Sequence, residues 1–230
     1  MRKPLLVIIA ILTILLLQGN SIPTLDGVLL KNSSVYNSMK LNSGMYLKNI
    51  ILLPDVSNYD QLEAKKIIKR LDQLPPQLLR KVLNVGIKIK LFQGKLTDNP
   101  SAAYLKGLTP RGYSNHSITW DQVPGIGGSK TVLVKIGFSE KGKDHGSINL
   151  ELHELAHSID RYLYHSTDGK IFNSFWEKES RSLFPGQTYF IHFPEEYFAE
   201  SFAMYYYNDE SKIKLMKKAP KTFAYISRHK

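Results

Sequence analysis

Hydrophobic and polar positions change period several times along the chain, and each change predicts an element. From Leu5 to Leu17 only Thr13 is not apolar; Arg2 and Lys3 precede this run and Gln18-Gly19-Asn20-Ser21 follows it. A basic, then apolar, then small and polar order is that of a secretory signal, and the run falls short of the roughly 20 residues a spanning helix needs. The expectation is cleavage after about Ser21, an extracellular location, no stable membrane insertion, and a single domain over 22–230. Beyond Asn58, Leu62, Ile67, Ile68 and Leu71 recur at helical spacing; Leu74-Pro75-Pro76 stops this helix and starts another carrying Leu78, Leu79, Val82 and Leu83. Val85–Phe92 alternates, with Lys88 and Lys90 on a wet face, and Thr131–Phe138 does much the same, so the two read as partners in one sheet. Tyr46–Leu53 reads as a further short strand. Residues 93–130 are rich in Gly, Pro, Asn and Ser, the mark of a long functional loop. From Ser147 onward the period is helical: one helix capped by Ser147 or Asn149 runs to about Tyr164, and others lie near 171–183, 194–207, 210–218 and 220–227. The fold predicted is α+β, a small sheet and a helical pair followed by a mainly helical C-terminal half.

Composition narrows the chemistry. The chain of 230 residues has no cysteine, which excludes disulfide scaffolds, thiolate metal sites and thiol nucleophiles. Any metal must therefore sit on His, Asp or Glu. Lysines and arginines outnumber acidic residues 31 to 20, and loss of Arg2 and Lys3 with the signal leaves 29 to 20, a net +9. That charge suits an anionic surface, or else lysines scattered over a solvated one. No basic motif is interleaved with aromatics that could stack bases, so no nucleic-acid partner is expected.

The candidate chemistry lies in His153-Glu154-Leu155-Ala156-His157, inside the helix predicted over 147–164. Residues four apart share a helix face, so both imidazoles can grip one ion, and the intervening Glu154 can take a proton from a water. A catalytic zinc wants three protein ligands and one open position. The Gly and His that a metzincin places seven and ten residues after its first His are here Asp160 and Leu163. Two glutamates compete for the third place. Glu177 lies at thermolysin-like spacing, but Arg181 stands where an Asp is expected; Glu196 opens a helix after Pro194, with Ala199 one turn on leaving room for a metal. Glu196 is the better fit of the two; Glu195 beside it is a direct rival, although only one of two successive helix residues can face the ion.

His153–His157 with Asp160, then Tyr189, then Glu196-Tyr197-Phe198-Ala199-Glu200, then Lys218-Ala219-Pro220-Lys221-Thr222-Phe223 resembles the catalytic domain of the anthrax lethal factor family of zinc metallopeptidases. The likeness is strongest from about Gly107 to Phe223. Within that family, a secreted single-domain chain of this size is most similar to the Pro-Pro endopeptidases. The resemblance implies a zincin-like domain holding one Zn2+ on His153, His157 and Glu196, with Glu154 as general base and Tyr189 assisting at the oxyanion. Its substrate would be a peptide or protein, such as a proline-rich cell-surface protein, cut between prolines by a monomeric enzyme. Asp160 and Glu200 have two readings: each either accepts the second N–H of a zinc-binding histidine or pairs with a lysine or caps a turn. Gly127, Gly128 and Glu195 are candidates for the substrate side. Trp120 is either a flat wall for proline rings or a core tryptophan, and Thr131–Phe138 is the strand to whose edge a peptide could add. Two competing functions are a peptidase of different specificity and a non-catalytic binding module; Glu154, which binds no metal, argues against the second.

Overall fold

The structure is a computed structural model that describes residues 26–111 and 118–229; the predicted signal, 1–21, lies outside the described residues. Its sheet has five short strands in the order β1-β2-β3-β5-β4: β1 (Val28–Leu29), β2 (Ile51–Leu53), β3 (Lys88–Phe92), β4 (Gly125–Ile126) and β5 (Thr131–Lys135). The two strands with the clearest alternation do pair, in parallel, with Lys88 opposite Thr131 and Phe92 opposite Lys135. β2 is parallel to β3, while β1 and β4 run antiparallel to their neighbours.

A parallel centre needs cover on both faces, and both are covered. On one, Ile89, Leu91, Val132 and Val134 join the main core with the helices; on the other, Phe92 and Leu133 join Leu96 and Ala102, with Trp120, Val123 and Ile126 packed against them. The wet face expected for β3 is therefore absent. Lys90 is only 8% exposed and forms an ion pair with Asp26, and the Lys88 ammonium donates to the Asn49 carbonyl. β5 is also not the edge expected for it, because β4 covers its outer side.

The helical pair is α2 (Gln61–Leu71) and α3 (Pro76–Asn84), preceded by α1 (Gly44–Ile50). Asp60 caps α2 by accepting from the Leu62 and Glu63 amides, each at 3.0 Å. Pro76 opens α3, where its missing N–H costs nothing, and the Pro75 carbonyl accepts from the Leu79 amide at 3.1 Å. Only Ile51–Leu53 of the strand expected over Tyr46–Leu53 is extended; the residues before it are helical. The reason is remote in sequence. The Asp72 carboxylate accepts from the Asn42 and Ser43 amides at 2.8 and 2.7 Å, satisfying the start of α1, and Leu47 and Ile50 are buried one turn apart.

The C-terminal half is helical as predicted, with α4 (Leu150–Ile159), α5 (Lys170–Leu183), α7 (Pro194–Tyr207), α8 (Asp209–Lys218) and α9 (Pro220–Arg228), and has one short helix that was not expected, α6 (Thr188–His192). Every residue of α7 from Glu196 to Tyr205 is buried, the signature of a helix enclosed by others. It packs along α4, with α5, α6, α8 and α9 around it. No helix among the described residues is long and apolar enough to cross a membrane.

Candidate active site

α4 starts where the Asn149 side chain accepts from the Leu152 amide at 3.1 Å. Leu150, Leu152, Leu155 and Ile159 are buried, which leaves His153 and His157 one turn apart on the face towards α7. Their rings meet edge to face with centroids 4.8 Å apart. From α7, Glu196 in the first turn and Glu200 one turn later point back at them.

Three donor atoms converge. His153 Nε2 and His157 Nε2 are 3.2 Å apart, and Glu196 Oε2 lies 3.2 Å from the first and 3.4 Å from the second. Ligands held about 2.0 Å from one ion at tetrahedral angles are separated by about 3.3 Å, so this triangle fits zinc. Among the described residues, His153, His157 and Glu196 are also the group able to hold a metal ion. Glu177 is exposed on α5 and has no part in it.

The surroundings fix which atoms face the centre. Glu200 Oε2 lies 3.1 Å from His153 Nδ1, and its Oε1 accepts from the Ile148 amide at 2.8 Å. The hydrogen bond from Nδ1 to Glu200 turns Nε2 towards the centre. Burial opposes charge on His153, but its hydrogen bonds to Glu196 and Glu200 outweigh this and push its pKa up to about 10. Burial also opposes charge on Glu196, yet hydrogen bonds from both histidines hold its carboxyl far below the usual range. Asp160 does not share the role of Glu200. Its carboxylate accepts from the Ser166 amide at 2.6 Å and from the Thr167 amide and hydroxyl. It closes the wide turn Asp160–Tyr164 that follows α4, whose end His165 reverses with φ 51°.

Glu154 faces the same space, and burial raises its carboxyl pKa despite the opposing effect of the histidines and the Gly127 amide. Tyr189, on α6, donates to Glu196 Oε1 at 2.9 Å. Burial, then the neighbouring Glu196 charge, push the phenol up, so it stays a neutral donor. Arg111 is the residue that sequence reasoning missed. It reaches Glu195 Oε1 at 2.7 Å and Glu196 Oε1 at 3.2 Å, and lies over the Phe193 ring at 4.1 Å. Nothing local marked it beyond its place in the long loop, since its partners are more than eighty residues away.

These groups line a cleft of about 720 Å³ that also includes Trp120, Gly125 to Gly128 and Glu195. Trp120 thus fits both of its readings, packing on the second core cluster while reaching the cleft. His145 also lines the cleft, with Nε2 2.7 Å from the Phe138 carbonyl. The glycines permit close approach: a Cβ on Gly127 would sit 1.9 Å from the Glu154 carbonyl oxygen, and one on Gly125 would sit 2.9 Å from Glu154 Cγ. The edge strand β4 therefore lies directly against the helix that carries the base.

The family described as anthrax toxin lethal factor, N- and C-terminal domain, matches residues 37–229. A Pro-Pro endopeptidase of Clostridioides difficile (strain 630) is 44% identical over 181 residues, covering 78% of this chain and 81% of that protein. A Pro-Pro endopeptidase of Paenibacillus alvei is 38% identical over 183 residues, covering 79% of this chain and 83% of that protein. Among solved structures, that of the Pro-Pro endopeptidase PPEP-2 from Paenibacillus alvei superposes with a TM-score of 0.74 at 38% identity, over 80% of this chain and 98% of that one.

Proposed function

Since the chain belongs to the anthrax toxin lethal factor family, we propose that it is a zinc-dependent endopeptidase that hydrolyses the bond between two prolines. The observation that carries this reading is the convergence of His153 Nε2, His157 Nε2 and Glu196 Oε2 beside Glu154, in a chain 44% identical to a Pro-Pro endopeptidase. Zinc, when bound by these three residues, polarises a carbonyl and acidifies a water.

The protein's own groups do the rest. Glu154 takes a proton from the attacking water and returns it to the leaving proline nitrogen, and its raised pKa brings it nearer to neutral pH, where such a base works best. Tyr189, kept protonated, donates to the oxyanion that develops on the scissile carbonyl, leaving Glu196 to Arg111. Glu200 keeps the His153 ring oriented. A proline nitrogen in a peptide has no hydrogen to give, so the edge at β4 can pair only with flanking groups, and ring faces such as Trp120 and Phe190 must hold the prolines themselves.

In this reading the enzyme is secreted after loss of residues 1–21, acts as a monomer and cuts proline-rich extracellular or cell-surface proteins. The apolar leader with its basic start supports that location.

The test is cleavage of a peptide library centred on paired prolines by the zinc-loaded protein lacking residues 1–21, beside its Glu154→Gln variant, with products read by mass spectrometry. The parent should cut between the prolines, and the variant should lose about 10²–10⁴-fold in rate while keeping one zinc. An intact library with the zinc in place would sink the Pro-Pro specificity; a variant as active as the parent would remove Glu154 from the chemistry.

A further inference from the structure

Glu154, Ser158 and Arg161 stand four and then three residues apart, one stripe along α4 and the turn after it, beside the stripe of His153 and His157. Each member meets the segment that joins β4 to β5. Glu154 packs on Gly127. The Ser158 hydroxyl, on a residue with 0% exposure, accepts from the Gly128 amide at 3.0 Å and donates to the Ser129 carbonyl at 2.8 Å. Arg161 Nη1 donates to the Gly128 carbonyl at 3.1 Å. One residue further on, the Lys130 ammonium lies 3.8 Å over the ring of Tyr162.

We propose that Ser158 is a positioning residue for the substrate: through Gly128 and Ser129 it locks the peptide-pairing edge to the helix that carries Glu154. The idea rests on the peptide-cleaving reading above.

Both backbone polar groups of Gly128 are taken by α4 and the turn after it, so the edge open to a peptide reaches no further than Gly127. The segment beyond it turns away with φ +76° at Gly128. Side-chain direction on a strand has a period of two, so a slip of one residue along such an edge would turn every substrate side chain to the wrong face. Pinning the end of the edge to the same helix as the base removes that slip. Ser158 never touches substrate; it acts through the backbone it holds.

The test compares Ser158→Ala and Arg161→Ala with the parent on two peptides, a short one with two residues either side of the paired prolines and one extended far enough to lie along Gly125–Gly127. Hydrogen exchange of the Gly128 amide is measured without substrate. Loss of the hydroxyl should speed that exchange at least about tenfold. It should also lower kcat/KM on the long peptide about tenfold, chiefly through KM, with less than about twofold change on the short one. Arg161→Ala, at a surface position that leaves the fold intact, should show the same length dependence at about twofold to threefold. Equal losses on both peptides would mean that Ser158 is structural only, and no loss on either, or unchanged exchange, would overturn the proposal outright. If the parent cuts neither peptide, the Pro-Pro reading fails, and the exchange rate still decides whether the hydroxyl holds the edge.

Discussion

The helical pairs α2–α3 and α4–α7 are both packed into the main core, yet they are built on different rules. α2 and α3 bury one aliphatic stripe, Ala64, Ile67, Ile68 and Leu71 with Leu78, Leu79 and Val82, and turn lysines and arginines outward. α4 and α7 are buried almost all round and carry His153, Glu151, Glu196 and Glu200 inside. In the first pair the interior is anonymous: any aliphatic side chain of the right volume would serve. In the second, His153, Glu151, Glu196 and Glu200 each have a specific partner, and Arg70 of α2, which pairs with the fully buried Glu151 at 2.8 Å, is where the two regions meet. Stability and chemistry are separable here, because truncating the first pair's aliphatic stripe costs folding while altering the second pair's polar groups costs function.

That separation can be broken in order of size. Leu79→Ala, a truncation at a fully buried site, should cost about 2–5 kcal/mol of stability in a denaturant titration, while the zinc content of the folded fraction stays at one. Tyr189→Phe should do the reverse, lowering kcat about 10²–10³-fold with the midpoint of unfolding unchanged. Glu200→Gln should weaken zinc about 10–100-fold, measured by competition with a chelator, with a smaller change in stability. Last, Leu62→Lys should move stability by no more than about 0.5 kcal/mol, because Leu62 is 72% exposed although it shares the helical spacing of its buried neighbours. If Glu200→Gln unfolded the protein as readily as Leu79→Ala, the two regions would not be separate.

The same division explains what could be read from the sequence. The helices of the C-terminal half were legible because apolar periodicity and proline starts are local signals, and the proposed metal site was legible because two of its groups sit one turn apart. What was not legible depended on distant partners. Tyr46–Leu53 looks like a strand until Asp72 supplies the start of a helix from about thirty residues away. Lys90 looks solvated until Asp26 and the second core cluster cover its face. Asp160 could be read as a partner for a histidine or as a turn cap, and only the chain reversal at His165, which brings Ser166 and Thr167 to it, decides for the second. Arg111 gave no signal beyond its place in the long loop, since its meaning comes from Glu195, Glu196 and Phe193 folding up to meet it.

Pro75-Pro76 is the one pair of adjacent prolines in the sequence. Under the proposed specificity the enzyme thus carries a single copy of its own target bond, set in the first turn of α3, where the Pro75 carbonyl is engaged by Leu79 and the side chains of Leu74, Leu78 and Leu79 are buried. An extended cleft needs extended chain on both sides of the bond, and from Pro76 onward the chain is helical. Self-digestion at this point would therefore wait on the opening of α3, so that during storage the slow appearance of two fragments joined at 75–76 would act as a clock for that opening, ticking without any added denaturant or probe.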